Sequence, residues 1–249
     1  MNKKIEFLGI PLDALTMKET LAKIKESIDS KQQIHHSVIN AGKVVLMKKD
    51  IKLAKSVIEA DLINADGQAI VWAAKFLGDF IPERVAGIDL MQNLVAKSFE
   101  NGYKCFFFGA QEKVVSKLVH KYSKLYSKDI IAGYRNGYFD SEEELNIVEE
   151  IVNSGANILF VAMSSPKKEI FLNTYKKKLA CVNFIMGVGG SFDVLSGETQ
   201  RAPVFLQKIG LEWFYRFLQE PKRMWRRYLL GNTKFLIIVF KCYFKNLLT

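Results

Sequence analysis

Short apolar runs alternate with amphipathic segments along most of the chain, most cleanly between residues 103 and 187. There the pattern predicts strands at 103–108, 129–134, 157–163 and 182–187, with helices at 111–126, 141–153 and 166–178 between them. The runs Cys105-Phe-Phe-Phe108 and Ile158-Leu-Phe-Val-Ala-Met163 are continuously apolar. Such runs suit strands covered on both faces, as in a parallel sheet. The alternation therefore predicts a Rossmann-like α/β fold, a largely parallel sheet flanked by helices.

The first hundred residues follow the same pattern less regularly. A strand is expected at 5–10. Thr16 is placed as a helix N-cap, with Glu19 three residues on completing a capping box, and Leu21, Ile24 and Ile28 recur on one helical face. A strand at 35–40 breaks at Asn40-Ala-Gly42, and short helices follow at 43–47 and 51–60. Leu62 and Ile63 close another apolar run, after which Asn64, Asp66 and Gly67 are turn formers. Helical spacing resumes at Gln68. A long helix begins at Ala86-Gly87 and stops at Gly102, where a C′ glycine belongs.

After Gly197 the pattern changes. Segments 206–217 and 224–228 mix aromatic residues and leucine with arginine, and Phe235-Leu-Ile-Ile-Val-Phe240 is six apolar residues followed by Lys241. Amphipathic helices are expected there, dividing the chain into an α/β core at 1–197 and a helical appendage at 198–249. No uncharged apolar run approaches the length needed to span a bilayer. The opening Met1-Asn-Lys-Lys, with Asp13 soon after, lacks the signal-peptide pattern.

Charge sharpens the division. The net charge is +10, and the last 49 residues hold ten basic side chains against two acids, Glu212 and Glu220, or +8 of it. A basic appendage on a near-neutral body implies an anionic partner. Arginine mixed with aromatics fits nucleic acid, but the 235–240 run then has no use. An interfacial helix on an anionic bilayer uses both features. Three well-separated cysteines, Cys105, Cys181 and Cys242, suit a reduced cytoplasmic protein, with Cys105 and Cys181 read as buried thiols. His35 and His36 are neighbours on a strand and face opposite sides, and His120 lies on a helix. No metal site or cofactor is expected.

The chemistry gathers at predicted strand ends: Asn40, the Asp66 turn, Ser164-Ser-Pro-Lys-Lys168-Glu169, and Gly187-Val-Gly-Gly-Ser-Phe-Asp193. These should converge on the rim where open α/β sheets bind ligands. Asp66 suits a general base, a sugar ligand or a helix N-cap. Asp193 suits a ribose ligand or an N-cap. Tyr138, after Asn136-Gly137, suits stacking on a base or a half-buried loop position. The glycines of 187–190 do not have the dinucleotide spacing, which counts against a dehydrogenase or epimerase using a bound dinucleotide.

Together these segments resemble the WecG/TagA/CpsF glycosyltransferases, glycosyltransferase family 26. The resemblance rests on Asp61-Leu-Ile-Asn-Ala-Asp-Gly67, Pro82-Glu-Arg-Val-Ala-Gly-Ile-Asp-Leu-Met91, Gly137-Tyr-Phe139, Ser165-Pro-Lys167 with Glu169, and Gly187-Val-Gly-Gly-Ser-Phe-Asp193. It continues through Arg201-Ala-Pro203, Gly210-Leu-Glu-Trp213, Tyr215-Arg216, Gln219-Glu-Pro221 and Trp225-Arg-Arg-Tyr228.

The resemblance implies inverting, metal-independent transfer of an N-acetylmannosamine-type sugar from a UDP donor to an undecaprenyl-diphosphate-linked acceptor. The setting would be polysaccharide or wall teichoic acid synthesis at the cytoplasmic membrane face. It implies Asp66 as general base with Arg84 beside it, Tyr138 and Asp193 on uridine, and Arg216, Arg223 and Arg226 over the diphosphate. Asn40 and Lys168 would bind substrate, and the positions of Val38 and Lys168 would line the donor pocket. Val38 and Lys168 depart from the family's usual Thr and Gln. Arginine suits a diphosphate leaving group that no metal neutralises, because its fork binds phosphate oxygens in pairs. A homo-oligomer is left open. The alternatives are a nucleotide-sugar-modifying enzyme and a non-catalytic module binding anionic lipid or nucleic acid.

Overall fold

The computed structural model describes residues 4–208, 210–219, 221 and 231–247. Its centre is a six-stranded sheet built from β3 (Ile34–Ile39), β4 (Leu62–Ala65), β5 (Cys105–Gly109), β6 (Ile131–Arg135), β7 (Ile158–Ala162) and β8 (Phe184–Gly187). The spatial order is β4-β3-β8-β7-β5-β6, and every neighbouring pair is parallel. The expected α/β class is therefore observed.

The parallel sheet explains the apolar runs. Phe107, Phe160, Phe184 and Met186 pack into the cluster on one face, while Phe106, Phe108, Leu159, Val161 and Ile185 pack into a cluster on the other. Alternating side chains are thus buried on both sides, which a strand tolerates only when helices cover both faces. Helices α1 (Met17–Asp29), α5 (Gly87–Asn101) and α6 (Glu112–Leu125) cover the first face. α7 (Glu144–Asn153) and α8 (Lys167–Tyr175) cover the second, continued by α2 (Ala41–Met47), α3 (Ile51–Ile58) and α4 (Gln68–Phe76). Thr16 and Glu19 form the expected capping box, and Gly102 ends α5 at φ 72°.

The N-terminus departs from expectation. In place of one strand at 5–10 there is an antiparallel hairpin, β1 (Lys4–Phe7) and β2 (Ile10–Asp13), separate from the main sheet. Leu8 and Gly9 both have positive φ, 54° and 85°. Two such residues make the tight turn whose twist matches an antiparallel pair. The hairpin packs against β4, where Asp13 accepts a hydrogen bond from the Ile63 amide at 2.8 Å. Cys105 is buried as expected, but Cys181 is exposed. It sits in a turn whose neighbours Leu179 and Val182 take the buried positions.

After α9 (Ser191–Leu195), the predicted helix at 206–217 is two helices, α10 (Val204–Lys208) and α11 (Glu212–Gln219), with Gly210 between them at φ 74°. The final helix is longer than its apolar run, α12 (Gly231–Leu247). It packs along α2 and buries Phe235 and Val239 in the cluster that also holds Val44, Leu53 and Ile70. Leu236, Ile237, Phe240 and Phe244 remain exposed. The segment expected at 224–228 lies outside the described residues.

Candidate active site at the carboxyl rim of the sheet

Because all six strands are parallel, their C-terminal ends share one edge. Asn40 follows β3, Asp66 follows β4, Ser164 to Glu169 follow β7, and Val188 to Asp193 follow β8. β3 and β8 are neighbours, yet α2 and α9 leave them for opposite faces. A crevice opens at such a point, and ligands of open α/β sheets bind there.

Asp66 is held from both sides. Its amide donates to Ile39 O at 2.8 Å, and the next loop is pinned to the same strand end by Val85 N to Ala65 O at 2.8 Å. The residue does not cap its own helix: Gly67 holds the N-cap position of α4, without a side-chain cap. Instead Asp66 Oδ1 accepts from the Gly87 amide at 3.0 Å, at the first turn of α5. A carboxylate there meets the positive end of the helix dipole. Burial pushes the Asp66 carboxyl above its ordinary range; the Gly87 N–H, Arg84 and Lys43 pull the other way, and Glu212 adds to the rise. A carboxylate with a raised pKa is a better proton acceptor near neutral pH.

Arg84 donates through Nη1 to Glu212 Oε2 at 2.9 Å. Glu212 Oε1 in turn accepts from Arg201 Nε at 3.1 Å, and the Arg201 fork grips both oxygens of Asp89 at 2.6 and 2.9 Å. Two arginines and two carboxylates thus tie α11 and the 201 segment to the N-terminal turn of α5. Glu212, Arg201 and Asp89 are not among the expected site residues, although all three lie in segments that carry the family resemblance.

Asn40 caps α2, its Oδ1 accepting from the Lys43 amide at 3.0 Å. Lys168 is buried at 7% exposure rather than open to the crevice. Its Nζ meets Glu169 Oε1 at 2.7 Å and donates to Ser165 Oγ. Lys43, also 7% exposed, meets the same Oε1 at 2.7 Å from the β3 side. A Lys–Glu–Lys bridge therefore spans the crevice beneath the rim. Burial pushes the Glu169 carboxyl up, but the two ammonium groups outweigh it and hold it at about 2. A β-carbon at Gly187 would lie 2.9 Å from Lys168 Cδ, so only glycine lets this side chain cross the end of β8. Lys43 could have been noticed from sequence, since a cation in the first turn of a helix opposes its dipole.

Tyr138 is 71% exposed, not half-buried, on the loop after β6, where its amide donates to Asn136 Oδ1 at 3.0 Å. The same loop is tied to the end of β5 through Gly137 N to Ala110 O at 2.9 Å. Asp193 lies within α9 rather than at its N-cap, which is Gly190, and is partly exposed. Arg216 falls on α11 one turn beyond Glu212. Arg223 and Arg226 lie outside the described residues. His35 and His36 are buried on β3, and His36 Nε2 contacts Asn64 Oδ1 at 3.0 Å. Among the described residues no group of three or more His, Cys, Asp or Glu is placed to hold a metal.

A half-buried carboxylate on which an arginine acts thus stands at the carboxyl rim of a parallel sheet, where open α/β sheets bind ligands. The sequence model of the glycosyl transferase WecG/TagA/CpsF family matches residues 5–248, and the chain belongs to that family. It is similar to the N-acetylglucosaminyldiphosphoundecaprenol N-acetyl-beta-D-mannosaminyltransferase of Bacillus spizizenii. The two are 36% identical over 182 residues, covering 73% of this chain and 69% of that protein. The protein is thus a glycosyltransferase.

Proposed function

We propose that the protein moves an N-acetylmannosamine-type sugar from a UDP donor to an undecaprenyl-diphosphate-linked N-acetylglucosamine, with inversion at the anomeric carbon, in building a cell-surface polysaccharide or wall teichoic acid. The observation that carries this reading is Asp66. It stands at a strand end in the ligand-binding rim, its carboxyl raised by burial, beside Arg84. The relative's name supplies the sugar and the acceptor.

In this reading the acceptor hydroxyl attacks the anomeric carbon of the donor. Asp66 takes the hydroxyl proton as the new bond forms, and UDP leaves from the opposite face, which inverts the centre. Negative charge grows on the leaving diphosphate. The amide groups of the glycine-rich turn after β8 and the arginines of the appendage, Arg216, Arg223 and Arg226, meet that charge. Tyr138 stacks on the uracil and Asp193 accepts from the ribose. Asn40, and the bridge containing Lys168, shape the floor beneath the sugar.

The segment 198–249 completes the site and docks the enzyme on the inner face of the cell membrane. No helix among the described residues is long and apolar enough to cross a membrane. The exposed Leu236, Ile237, Phe240 and Phe244 of α12, with Lys234, Lys241 and Lys245 on the same helix, suit an anionic bilayer surface. The test is transfer of isotope from UDP-N-acetylmannosamine to a lipid-linked N-acetylglucosamine diphosphate. Label reaching the lipid supports the assignment; release of UDP without lipid labelling defeats it.

A further inference from the structure

Glu212 belongs to the appendage, yet its carboxylate reaches the core side of the active site, directly through Arg84 and by way of Arg201 to Asp89. Oε2 takes Arg84, and Oε1 takes Arg201, which is itself locked on Asp89 in the first turn of α5. The same turn of α5 presents the Gly87 amide to Asp66. One side chain of α11 therefore governs both where Arg84 points and how the α5 turn sits under the catalytic carboxylate.

We propose that Glu212 is a positioning residue: seated by α11, it holds Arg84 alongside Asp66 and offsets the guanidinium charge, so that docking of the appendage sets the basicity of Asp66. This rests on Asp66 being the general base.

The charges around Asp66 fix the sign of the effect. The groups that act on it are Arg84, Lys43 and Glu212, together with the Gly87 N–H at the head of α5. The two cations and the amide favour the ionised form; burial opposes them most strongly, and Glu212 is the charged group that opposes them. Loss of the Glu212 charge removes a negative neighbour and leaves Arg84 uncompensated. Both changes make Asp66 easier to ionise and a weaker base. Glu212 sits in the first turn of its own helix, where a carboxylate is favourable. The arrangement therefore forms only when α11 is folded and docked.

The experiment is the pH profile of kcat/KM for lipid-linked transfer by the full-length chain, with Glu212→Gln, Glu212→Asp and Asp66→Asn. The wild type is expected to show an acid limb that is absent in Asp66→Asn. In Glu212→Gln the limb should move to lower pH by about half a unit or more. Turnover on the alkaline plateau should fall by up to about 3-fold for each half unit of that movement, as a weaker base requires. Glu212→Asp keeps the charge and should hold the limb near its wild-type place, which separates charge from packing. The Glu212 side chain is 30% exposed, so the Gln variant is expected to fold, and circular dichroism checks it. A limb that vanishes in Asp66→Asn but does not move in Glu212→Gln overturns the positioning role alone. A limb that persists in Asp66→Asn removes the base assignment and this inference together.

Discussion

Lys43 and Glu169 meet at 2.7 Å beneath the rim, joining the helix after β3 to the helix after β7. Lys168 meets the same oxygen at 2.7 Å. Two cations on one carboxylate leave the bridge net positive, within a part of the crevice that solvent barely reaches. Breaking a buried pair is costly because it strands a charge. Lys43→Met should therefore cost about 3 kcal/mol, less than the upper range for such pairs because Lys168 still serves Glu169. Urea unfolding at neutral pH measures it.

The same bridge gives a pH signature. The folded-state pKa of Glu169 is about 2, below its ordinary value of 4.5. A depressed carboxylate contributes stability that is fully present above its unfolded pKa and fades as pH falls through the folded one. Stability should decline between about pH 5 and pH 2, and Glu169→Gln should flatten that part of the curve. Lys168→Gln, the residue usual in the family, should move the decline to higher pH while keeping the fold. Unfolding midpoints across the acid range check both.

Asp66 carries the opposite sign. Its pKa is raised in the folded state, so ionising it with rising pH takes stability away. Asp66→Asn should leave the protein as stable as wild type or more so at neutral pH while removing transfer. A calorimetric melting point below wild type would contradict this.

Tyr138 is largely solvent-exposed and Asp193 partly so. Alanine at either position should leave stability nearly unchanged while weakening UDP binding by about 1–3 kcal/mol. Titration calorimetry with UDP reads the difference, and unchanged affinity in both folded variants would remove them from the uridine site.

Removing residues from about 200 onward should abolish liposome binding and most transfer. It should also lower the stability of the remaining core, because Phe235 and Val239 pack in the cluster containing α2 and α3. Arg216→Ala should keep most liposome binding and lose most turnover. Flotation with anionic vesicles, beside the transfer assay, separates the two roles. Equal flotation of full-length and shortened protein would remove the membrane assignment.

Much of this was legible in the sequence because burial on two faces writes itself as continuous apolar runs. The strands at 105–109 and 158–162 were readable for that reason. The hairpin was not, because its turn needs positive φ at Leu8 as well as at Gly9, and a leucine in that conformation is not a pattern the sequence displays. The rim could be found from turn residues at strand ends. The partners of those residues could not: Glu212 lies 128 residues from Arg84, and Glu169 lies 126 residues beyond Lys43. Such ion pairs follow from topology, which local patterns do not encode.

The most direct measurement compares wild type and Asp66→Asn in one assay, isotope transfer from UDP-N-acetylmannosamine to a polyprenyl-diphosphate-linked N-acetylglucosamine, with UDP affinity measured on the same samples. Transfer should fall roughly 10²- to 10⁴-fold with UDP affinity retained, as expected when a general base is lost from an intact site. Transfer by the Asn variant at the wild-type rate would contradict the assignment of Asp66 as the base.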